Sequence, residues 1–385
     1  STTVTATLAS GTTQSVSFSS TIAGSPSGVT TSFSPASCNP TCNSTMTINT
    51  TSGSPTGTYT VTITGTGGSL SRDTNYNLTI AASTSEPWLT GWSYRRPVTV
   101  DNTTSTLTNY QVLVTVDTAA LITAGKMRSD CGDIRFTDSD KTTQLNYWLE
   151  SGCNSASTKI WVKVPSIPGN QISTIYMYYG NPSASSASDG DTTFDFFDDF
   201  PGTSINTSKW NIVDSTGWSV ANGLLKGLST TGRLQSQTTF SNPIIQEVRS
   251  KVVTRATNGQ QIAGFFVSTS NSFGLLSHPS SDYVRNDGGW TSLGAQYINL
   301  NVWYLIRISV KTSATVNLYA KNLDTGSDVY NSDFSNTVSS EAITIGKRYD
   351  DTFTGQAYEA YWDWIRVRKY TSPEPTTTVG NETTP

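Results

Sequence analysis

Strict alternation of apolar and hydroxyl-bearing residues is the sequence feature that most constrains how this chain can fold. In segments such as Thr3–Leu8, Tyr59–Ile63 and Tyr76–Ile80, apolar residues take turns with Thr or Asn. A period of two residues places each type on one face of a β-strand, with the apolar face toward a core. Ser and Thr make up 117 of the 385 residues, and good helix formers are scarce. The pattern therefore predicts an all-β protein.

The charge composition and the lack of long apolar runs exclude two kinds of partner, nucleic acids and membranes. Only 14% of the residues are charged and the formal net charge is -4, whereas about 25% charged residues is usual in soluble proteins. The sequence has no Lys/Arg cluster, so the phosphate neutralisation that drives nucleic-acid binding is missing. No run of about 18 apolar residues occurs, so we expect no membrane span.

The chain starts at Ser1, and we expect a mature product whose secretion signal has been removed.

Four cysteines, Cys38, Cys42, Cys131 and Cys153, favour disulfides, because their number is even and the chain is polar. The local pairing Cys38–Cys42 and Cys131–Cys153 is the simplest. A zinc site is the alternative, but it needs four converging thiolates or imidazoles, and the single histidine, His278, is distant in sequence. We therefore predict two disulfides and an extracellular or cell-surface location.

Acceptor motifs for N-glycosylation are as frequent as chance predicts in a chain so rich in Asn, Ser and Thr. An exposed motif can carry sugar if the host glycosylates its proteins. The six candidate sites are Asn43, Asn49, Asn77, Asn102, Asn206 and Asn381.

Residues 1–85 form a distinct compositional block, with one Arg, one Asp, no Lys and no Glu. Six or seven short alternating segments separated by Gly, Pro and Asn turns predict a two-sheet sandwich. At Gly28–Pro35 and Pro55–Val61 the block resembles the Ig-like repeats of prokaryotic surface proteins. The resemblance implies a spacer or an assembly module.

Residues 86–196 differ in composition from the first block, because their expected strands are rich in aromatic residues. Examples are Trp92–Val100, Leu145–Glu150 and Tyr176–Pro182. These segments closely resemble the uncharacterised domain that precedes concanavalin-like domains in many archaeal and bacterial surface proteins. The resemblance implies a second β-sandwich and carries no known activity.

Residues 197–370 open with Phe197–Phe200 and Gly217–Leu225 and close with Tyr361–Arg368. These segments resemble the first and last strands of a concanavalin A-like jelly roll, as found in lectin-type and laminarinase-type domains. The chain is therefore expected to contain three tandem β-sandwiches. Residues 371–385 are a low-complexity Thr/Pro-rich tail, for which composition alone predicts a disordered or stalk-like segment.

Catalytic patterns are absent from the sequence. The resemblance to laminarinases implies a Glu-x-Asp-x-Glu strand, whose acid and nucleophile would stand about 5 Å apart. None of the seven Glu residues stands in such a pattern, and Glu359 with Asp363 is the nearest same-face pair. His278 has no nucleophile elbow beside it, and no phosphate-binding glycine loop occurs. We therefore predict that the protein is not an enzyme.

Five aspartates, Asp189, Asp191, Asp195, Asp198 and Asp199, crowd eleven residues and are the candidate ligands for a metal. Hard cations such as Ca²⁺ prefer several carboxylate and carbonyl oxygens, which turn aspartates can supply. The alternative is a polar hinge between two sandwiches whose phenylalanines alternate into the cores. We expect the protein to require no cofactor. If the aspartates do bind a metal, Ca²⁺ is the candidate ion. The pair Asp350–Asp351 is a weaker candidate of the same kind.

The segment Asp282–Trp290 has the composition of a sugar-binding loop. Sugar rings stack on exposed aromatic rings while their hydroxyls bond to nearby polar groups. The candidate carbohydrate-binding residues are Tyr283, Asn286, Asp287 and Trp290, and Tyr349 is a further aromatic candidate. The alternative is that Trp290 caps the core of its sandwich.

These features together predict a non-enzymatic extracellular structural protein, a cell-surface or filament subunit that displays a lectin-like domain. Self-assembly would use strand addition, with Thr2–Ala9 or Thr376–Thr384 completing the sheet of a second copy. A monomeric carbohydrate-binding adhesin and a polysaccharide hydrolase are the alternatives. The expected partners are other copies of the chain and glycans.

Overall fold

The computed structural model describes residues 1–385 except 52, 83–85, 214–216, 229–231, 256, 258, 269–270, 288, 313, 337, 339 and 347–357, and except the side chains of 266–268, 271 and 340. Nearly all regular structure in the described residues is antiparallel β-strand, which confirms the all-β sandwich prediction. The chain divides into two compact units, Ser1–Glu86 and Pro87–Pro385. The finer division at 1–85, 86–196, 197–370 and 371–385 stays a prediction. The candidates Tyr349, Asp350 and Asp351 lie outside the described residues.

The N-terminal unit is a sandwich of two sheets. Its strands are β1 (Thr2–Ala6), β2 (Val16–Ile22), β3 (Val29–Ser34), β4 (Ser37–Cys38), β5 (Cys42–Thr50), β6 (Gly57–Gly67) and β7 (Leu70–Ile80). The strand orders are β1-β5-β3 and β4-β2-β6-β7. Alternate side chains of the strands surround a small core at Met46, Val61 and Ile63. The strand β1, one of the two expected donors, pairs antiparallel with β5 of its own chain.

The second unit contains the remaining elements. Its first part consists of β8 (Tyr94–Asn102), β9 (Leu107–Val116), α1 (Thr118–Thr123), β10 (Arg135–Thr137), β11 (Gln144–Leu145), β12 (Tyr147–Ser151), β13 (Thr158–Ile167), β14 (Gln171–Tyr179) and α2 (Gly190–Thr193). Its second part begins with β15 (Phe196–Asp198), β16 (Trp210–Val213), β17 (Trp218–Ala221), β18 (Leu224–Leu228), β19 (Arg233–Ser241), β20 (Ile244–Thr254), β21 (Gln260–Ser268) and β22 (Asn271–Ser277). It continues with β23 (Tyr283–Asn286), β24 (Gly289–Ser292), β25 (Trp303–Thr312), β26 (Thr315–Asn322), β27 (Asp328–Ser335), β28 (Ser340–Gly346), β29 (Glu359–Lys369) and β30 (Thr376–Val379).

The middle sandwich consists of the strands from β8 to β14 together with β30. Its sheets have the orders β11-β10-β14-β8-β30 and β12-β13-β9. Between them lies a core of buried side chains that includes Val100, Val114, Ile160 and Ile175.

The C-terminal tail is ordered against the middle sandwich, which differs from the expectation of a stalk. Thr377 of β30 pairs with Val100 of β8, and Val379 packs against the middle core. Glu382 forms an ion pair with Lys126 at 2.5 Å. Threonine and valine suit a strand, and the edge of β8 supplies the backbone partners. The second expected donor segment is thus also paired within its own chain.

The large sandwich consists of the strands from β15 to β29. Its eight-stranded sheet has the order β17-β18-β29-β20-β25-β26-β27, with β15 also paired to β29. Its seven-stranded sheet has the order β16-β19-β28-β21-β22-β23-β24. Buried side chains from both sheets, among them Trp210, Phe273, Ile306 and Trp362, fill the space between them. Each sheet therefore keeps one outer face for other contacts.

Candidate functional site

The hairpin of β23 and β24 carries an aromatic and cationic group on the outer face of the seven-stranded sheet. Arg285 pairs with Trp290 in this hairpin. Val284 points into the core, so its neighbours Tyr283 and Arg285 point outward, as does Trp290 opposite Arg285. The guanidinium carbon of Arg285 lies 5.2 Å from the centroid of the Trp290 ring, in cation–π contact. We call Tyr283, Arg285 and Trp290 the platform.

Small residues on the neighbouring strand β22 leave room for the platform. Gly274 pairs with Arg285, and Arg285 Nε donates a hydrogen bond of 2.7 Å to Ser272 Oγ. A Cβ atom on Gly274 would lie 3.0 Å from the Ala263 carbonyl oxygen and 3.1 Å from the side chain of Gln261. Glycine at this position therefore lets Gln261 lie across the sheet beside the platform.

A buried carboxylate fixes the start of the hairpin. Asp282 Oδ2 accepts hydrogen bonds from the backbone N–H groups of Tyr297 and Ile298, at 2.7 and 2.8 Å. Burial raises the pKa of Asp282, and the two hydrogen bonds oppose that rise. These hydrogen bonds hold the segment after β24 against the start of β23, and so fix the position of the platform.

The structure brings together two of the four predicted carbohydrate-binding residues. Tyr283 and Trp290 share the outer face, but Asn286 lies on the other face and Asp287 in the turn. The amide of Asn286 donates to the Ser335 carbonyl oxygen at 3.0 Å and accepts from Asn336 at 2.6 Å. We therefore correct the assignment of Asn286, whose side chain holds two loops together. Sequence reasoning missed Arg285, which is buried and lies opposite Trp290 in the hairpin.

The five clustered aspartates do not converge on one cation site, which corrects the predicted metal ligands. Asp189 caps α2, accepting from the Thr192 N–H at 3.1 Å, and Asp191 pairs with Lys209 at 2.6 Å. Asp198 is buried and accepts from Trp210 Nε1 at 2.7 Å. Burial raises the pKa values of Asp195 and Asp199. Within the described part of the chain, no group of three or more His, Cys, Asp or Glu is arranged to hold a metal.

The contact between the middle and large sandwiches is a cluster that the sequence did not reveal. Its aromatic part consists of Trp148, Trp161, Phe194, Phe197 and Trp364. The guanidinium carbon of Arg366 on β29 lies 4.5 Å from the ring centroids of both Trp161 and Trp364. We call this cluster, with the charged groups described next, the joint.

Buried charges complete the joint. Glu247 on β20 is fully buried and accepts hydrogen bonds from Arg307, Arg366 and Arg368. Arg368 also forms two 3.0 Å hydrogen bonds to Glu374, just before β30. Burial alone would raise the pKa of Glu247, but the three guanidinium groups outweigh it and hold that pKa well below its usual value.

Next to the joint, a polar cleft of about 750 Å³ lies over the eight-stranded sheet. Its cations already have partners: Arg307 bonds to Glu247, and Lys311 bonds to Asp333 at 2.8 Å. The cleft is therefore close to charge-balanced.

Two disulfides form, Cys38–Cys42 and Cys131–Cys153, as the local pairing predicted. Five of the six glycosylation candidates, Asn43, Asn49, Asn77, Asn206 and Asn381, are exposed. Asn102 is fully buried, and its amide donates to the Ser105 and Pro168 carbonyl oxygens. We therefore correct the assignment of Asn102 as a glycosylation site. In the described residues, no helix is long and apolar enough to cross a membrane.

A family model described as a domain of unknown function, DUF2341, matches residues 130–213. These residues include much of the middle sandwich and the first strands of the large one. No curated protein matches the sequence.

Three solved structures that match the chain each cover less than half of its length. One, an endo-beta-1,3-glucanase from Pyrococcus furiosus, is 12% identical, with 46% of this chain and 95% of the glucanase covered and a TM-score of 0.33. Another, described as an immunostimulatory antigen and pseudo beta-1,3-glucanase of Mycobacterium tuberculosis, is 13% identical, with 46% and 99% covered and a TM-score of 0.36. A beta-1,3-glucanase from Mycobacterium marinum is 11% identical, with 45% and 98% covered and a TM-score of 0.34.

This comparison corrects one prediction. The prediction that the protein is not an enzyme is not retained, because the matched structures are described as glucanases and glycosyl hydrolases. At this identity and TM-score the likeness gives this chain no activity.

Proposed function

We propose that the large sandwich is a carbohydrate-binding domain that contacts sugar at the platform, and that the protein acts outside the cell as a glycan-binding surface protein. The observation that carries this proposal is the stacking of Arg285 on Trp290 beside Tyr283. Arg285 is buried and positions the ring of Trp290, which is half-buried and offers a surface on which a sugar ring can stack.

A hydroxyl beside the platform adds to its suitability for sugar. Ser292, opposite Tyr283 in the hairpin, is exposed at the end of β24. Gln261 and Thr344 also lie on the outer face of this sheet, but both are buried and bond to each other at 2.5 Å. A pyranose stacked on Trp290 would therefore meet the Ser292 hydroxyl.

Two disulfides support the extracellular location, because such bonds persist in oxidising compartments. Filament formation by strand addition remains a prediction. Both segments expected to be donated, β1 and β30, pair with strands of their own chain.

A glycan array probed with the full chain, followed by calorimetric titration of the best neutral oligosaccharide, tests the platform. We expect Trp290→Ala to weaken binding roughly tenfold or more, since it removes the stacking surface. The matched control is Trp92→Ala in the middle sandwich, where an indole also carries a stacked guanidinium, that of Arg135, at 5.3 Å. Equal binding by wild type and Trp290→Ala, or no binding to any glycan, would contradict the proposal.

A further inference from the structure

A row of alternating cations and aromatic rings crosses four adjacent strands on the outer face of the eight-stranded sheet. Lys226 of β18 pairs with Tyr361 of β29, and Tyr361 pairs in turn with Lys251 of β20. Lys251 pairs on its other side with Trp303 of β25. Residues directly opposite each other share a face, so the four side chains form one line across the sheet. We call them the cation–aromatic row.

The contacts within the row are regular. The Nζ atom of Lys226 lies 5.3 Å from the centroid of the Tyr361 ring. The Nζ atom of Lys251 lies 5.3 Å from the same ring and 5.0 Å from the centroid of Trp303. Arg249, two residues before Lys251 on β20, stacks on Trp303 at 4.9 Å. Each ring therefore has cations on two sides.

The charges of the row are only partly balanced. Lys226 pairs with Glu359 at 2.9 Å, and Arg249 pairs with Asp363. Lys251 forms no ion pair with any carboxylate of the described residues, and its ammonium lies between two rings instead. In a chain whose net charge is -4, the centre of the row is thus a local surplus of positive charge.

The row stays accessible beside the joint. On β29 the joint uses Trp364, Arg366 and Arg368, whereas Tyr361 lies closer to the start of the strand. All four side chains of the row are half-buried, so their outer edges face solvent.

We propose that the cation–aromatic row binds an acidic polysaccharide, one that carries carboxylates or sulfates along an extended chain. The Tyr361 and Trp303 rings stand two strands apart, about 10 Å at the usual spacing, a separation that an extended disaccharide spans. Sugar rings would stack on Tyr361 and Trp303, and an acidic group between them would pair with Lys251. This site lies on a different sheet from the platform and does not depend on the function proposed for the platform.

The test uses the full chain, with polygalacturonate as the acidic probe and hydroxyethyl cellulose as the neutral one, in affinity gel electrophoresis. The wild type should bind polygalacturonate at low salt and more weakly as salt screens the charges. We expect Lys251→Gln and Trp303→Ala each to weaken that binding roughly fivefold. Lys251→Arg should restore it, because the charge and the stacking both remain.

The matched control is Lys321→Gln, which removes a half-buried lysine from the outer face of the same sheet, where it pairs with Asp328 at 3.6 Å. It should bind polygalacturonate as the wild type does. Three results would each overturn the proposal: no binding by the wild type, equal binding of the neutral polymer, or wild-type binding by Lys251→Gln. Melting curves that match the wild type exclude misfolding as the cause of a loss.

Discussion

Arg366 and Glu150 join the two sandwiches of the second unit, with Arg366 Nη1 2.7 Å from Glu150 Oε2. The same guanidinium donates through Nε to Glu247 Oε2, also at 2.7 Å. One buried cation therefore forms ion pairs with a carboxylate of β12, in the middle sandwich, and with a carboxylate of its own sheet. The rings and charges of the joint are buried together at the contact between the middle and large sandwiches, which belong to one compact unit.

Loss of the central cation should destabilise the second unit strongly. Arg366→Met would leave the buried carboxylates of Glu247 and Glu150 short of a partner, and breaking a buried pair costs about 3–5 kcal/mol. Urea denaturation followed by tryptophan fluorescence measures the change. The control is Lys311→Met, which removes an exposed pair with Asp333 and should cost about 1 kcal/mol or less. A loss for Arg366→Met no larger than for the control would show that the joint contributes little.

The joint should also lose stability in acid, within a defined pH range. Arginines hold the pKa of Glu247 well below its usual value of 4.5, and Arg366 lowers that of Glu150. A carboxyl whose pKa is lower in the folded state stabilises the fold above its unfolded pKa, and the benefit disappears as pH falls through the folded-state pKa. The stability difference between wild type and Glu247→Gln should therefore be constant above pH 4.5 and shrink below it. Urea unfolding of both proteins between neutral and strongly acidic pH measures that difference, and a difference that grows in acid would refute the assignment.

The C-terminal strand should protect the edge of β8. Removal of residues 376–385 would unpair the backbone of β8 opposite Thr376–Val379 and expose apolar core beneath Val379. An exposed edge strand tends to pair with another chain, so we expect this truncated protein to self-associate in size-exclusion chromatography. Removal of residues 381–385 alone keeps β30, so this shorter truncation should elute at the same volume as the full chain. If both truncated proteins elute as the full chain does, β30 is dispensable for guarding the edge.

Sequence periodicity was enough to predict the strands but not the partners of the charged residues. Alternation predicted the sandwiches because one face of each strand must be buried, and the cysteine spacing predicted both disulfides. Glu247 and Arg366 lie 119 positions apart. Their contact depends on β20 and β29 being neighbours, which local pattern does not specify.

The candidate sites show the same division between local and long-range information. Trp290 was predicted from composition, but the importance of Arg285 depends on its pairing opposite Trp290 in the hairpin. The aspartates were predicted as one cluster because they are close in sequence, whereas the fold directs Asp189 to a helix cap and Asp198 to a buried indole. The tail was predicted to be disordered because its composition is polar, and that composition does not show that the edge of β8 gives it a strand partner.

The two disulfides should differ in their contribution to stability. Cys131–Cys153 closes a loop of sequence separation 22, and Cys38–Cys42 one of separation 4. In the chain-entropy model, loops of these lengths contribute about 3 and about 2 kcal/mol, because the longer loop restricts the unfolded chain more. Replacement of Cys131 and Cys153 by Ser should therefore lower the unfolding free energy of the second unit by more than the Cys38/Cys42 double replacement lowers that of the first. Differential scanning calorimetry of the two double variants and the wild type compares the transitions, and a larger loss for the Cys38/Cys42 variant would show that native contacts, rather than loop length, set the order.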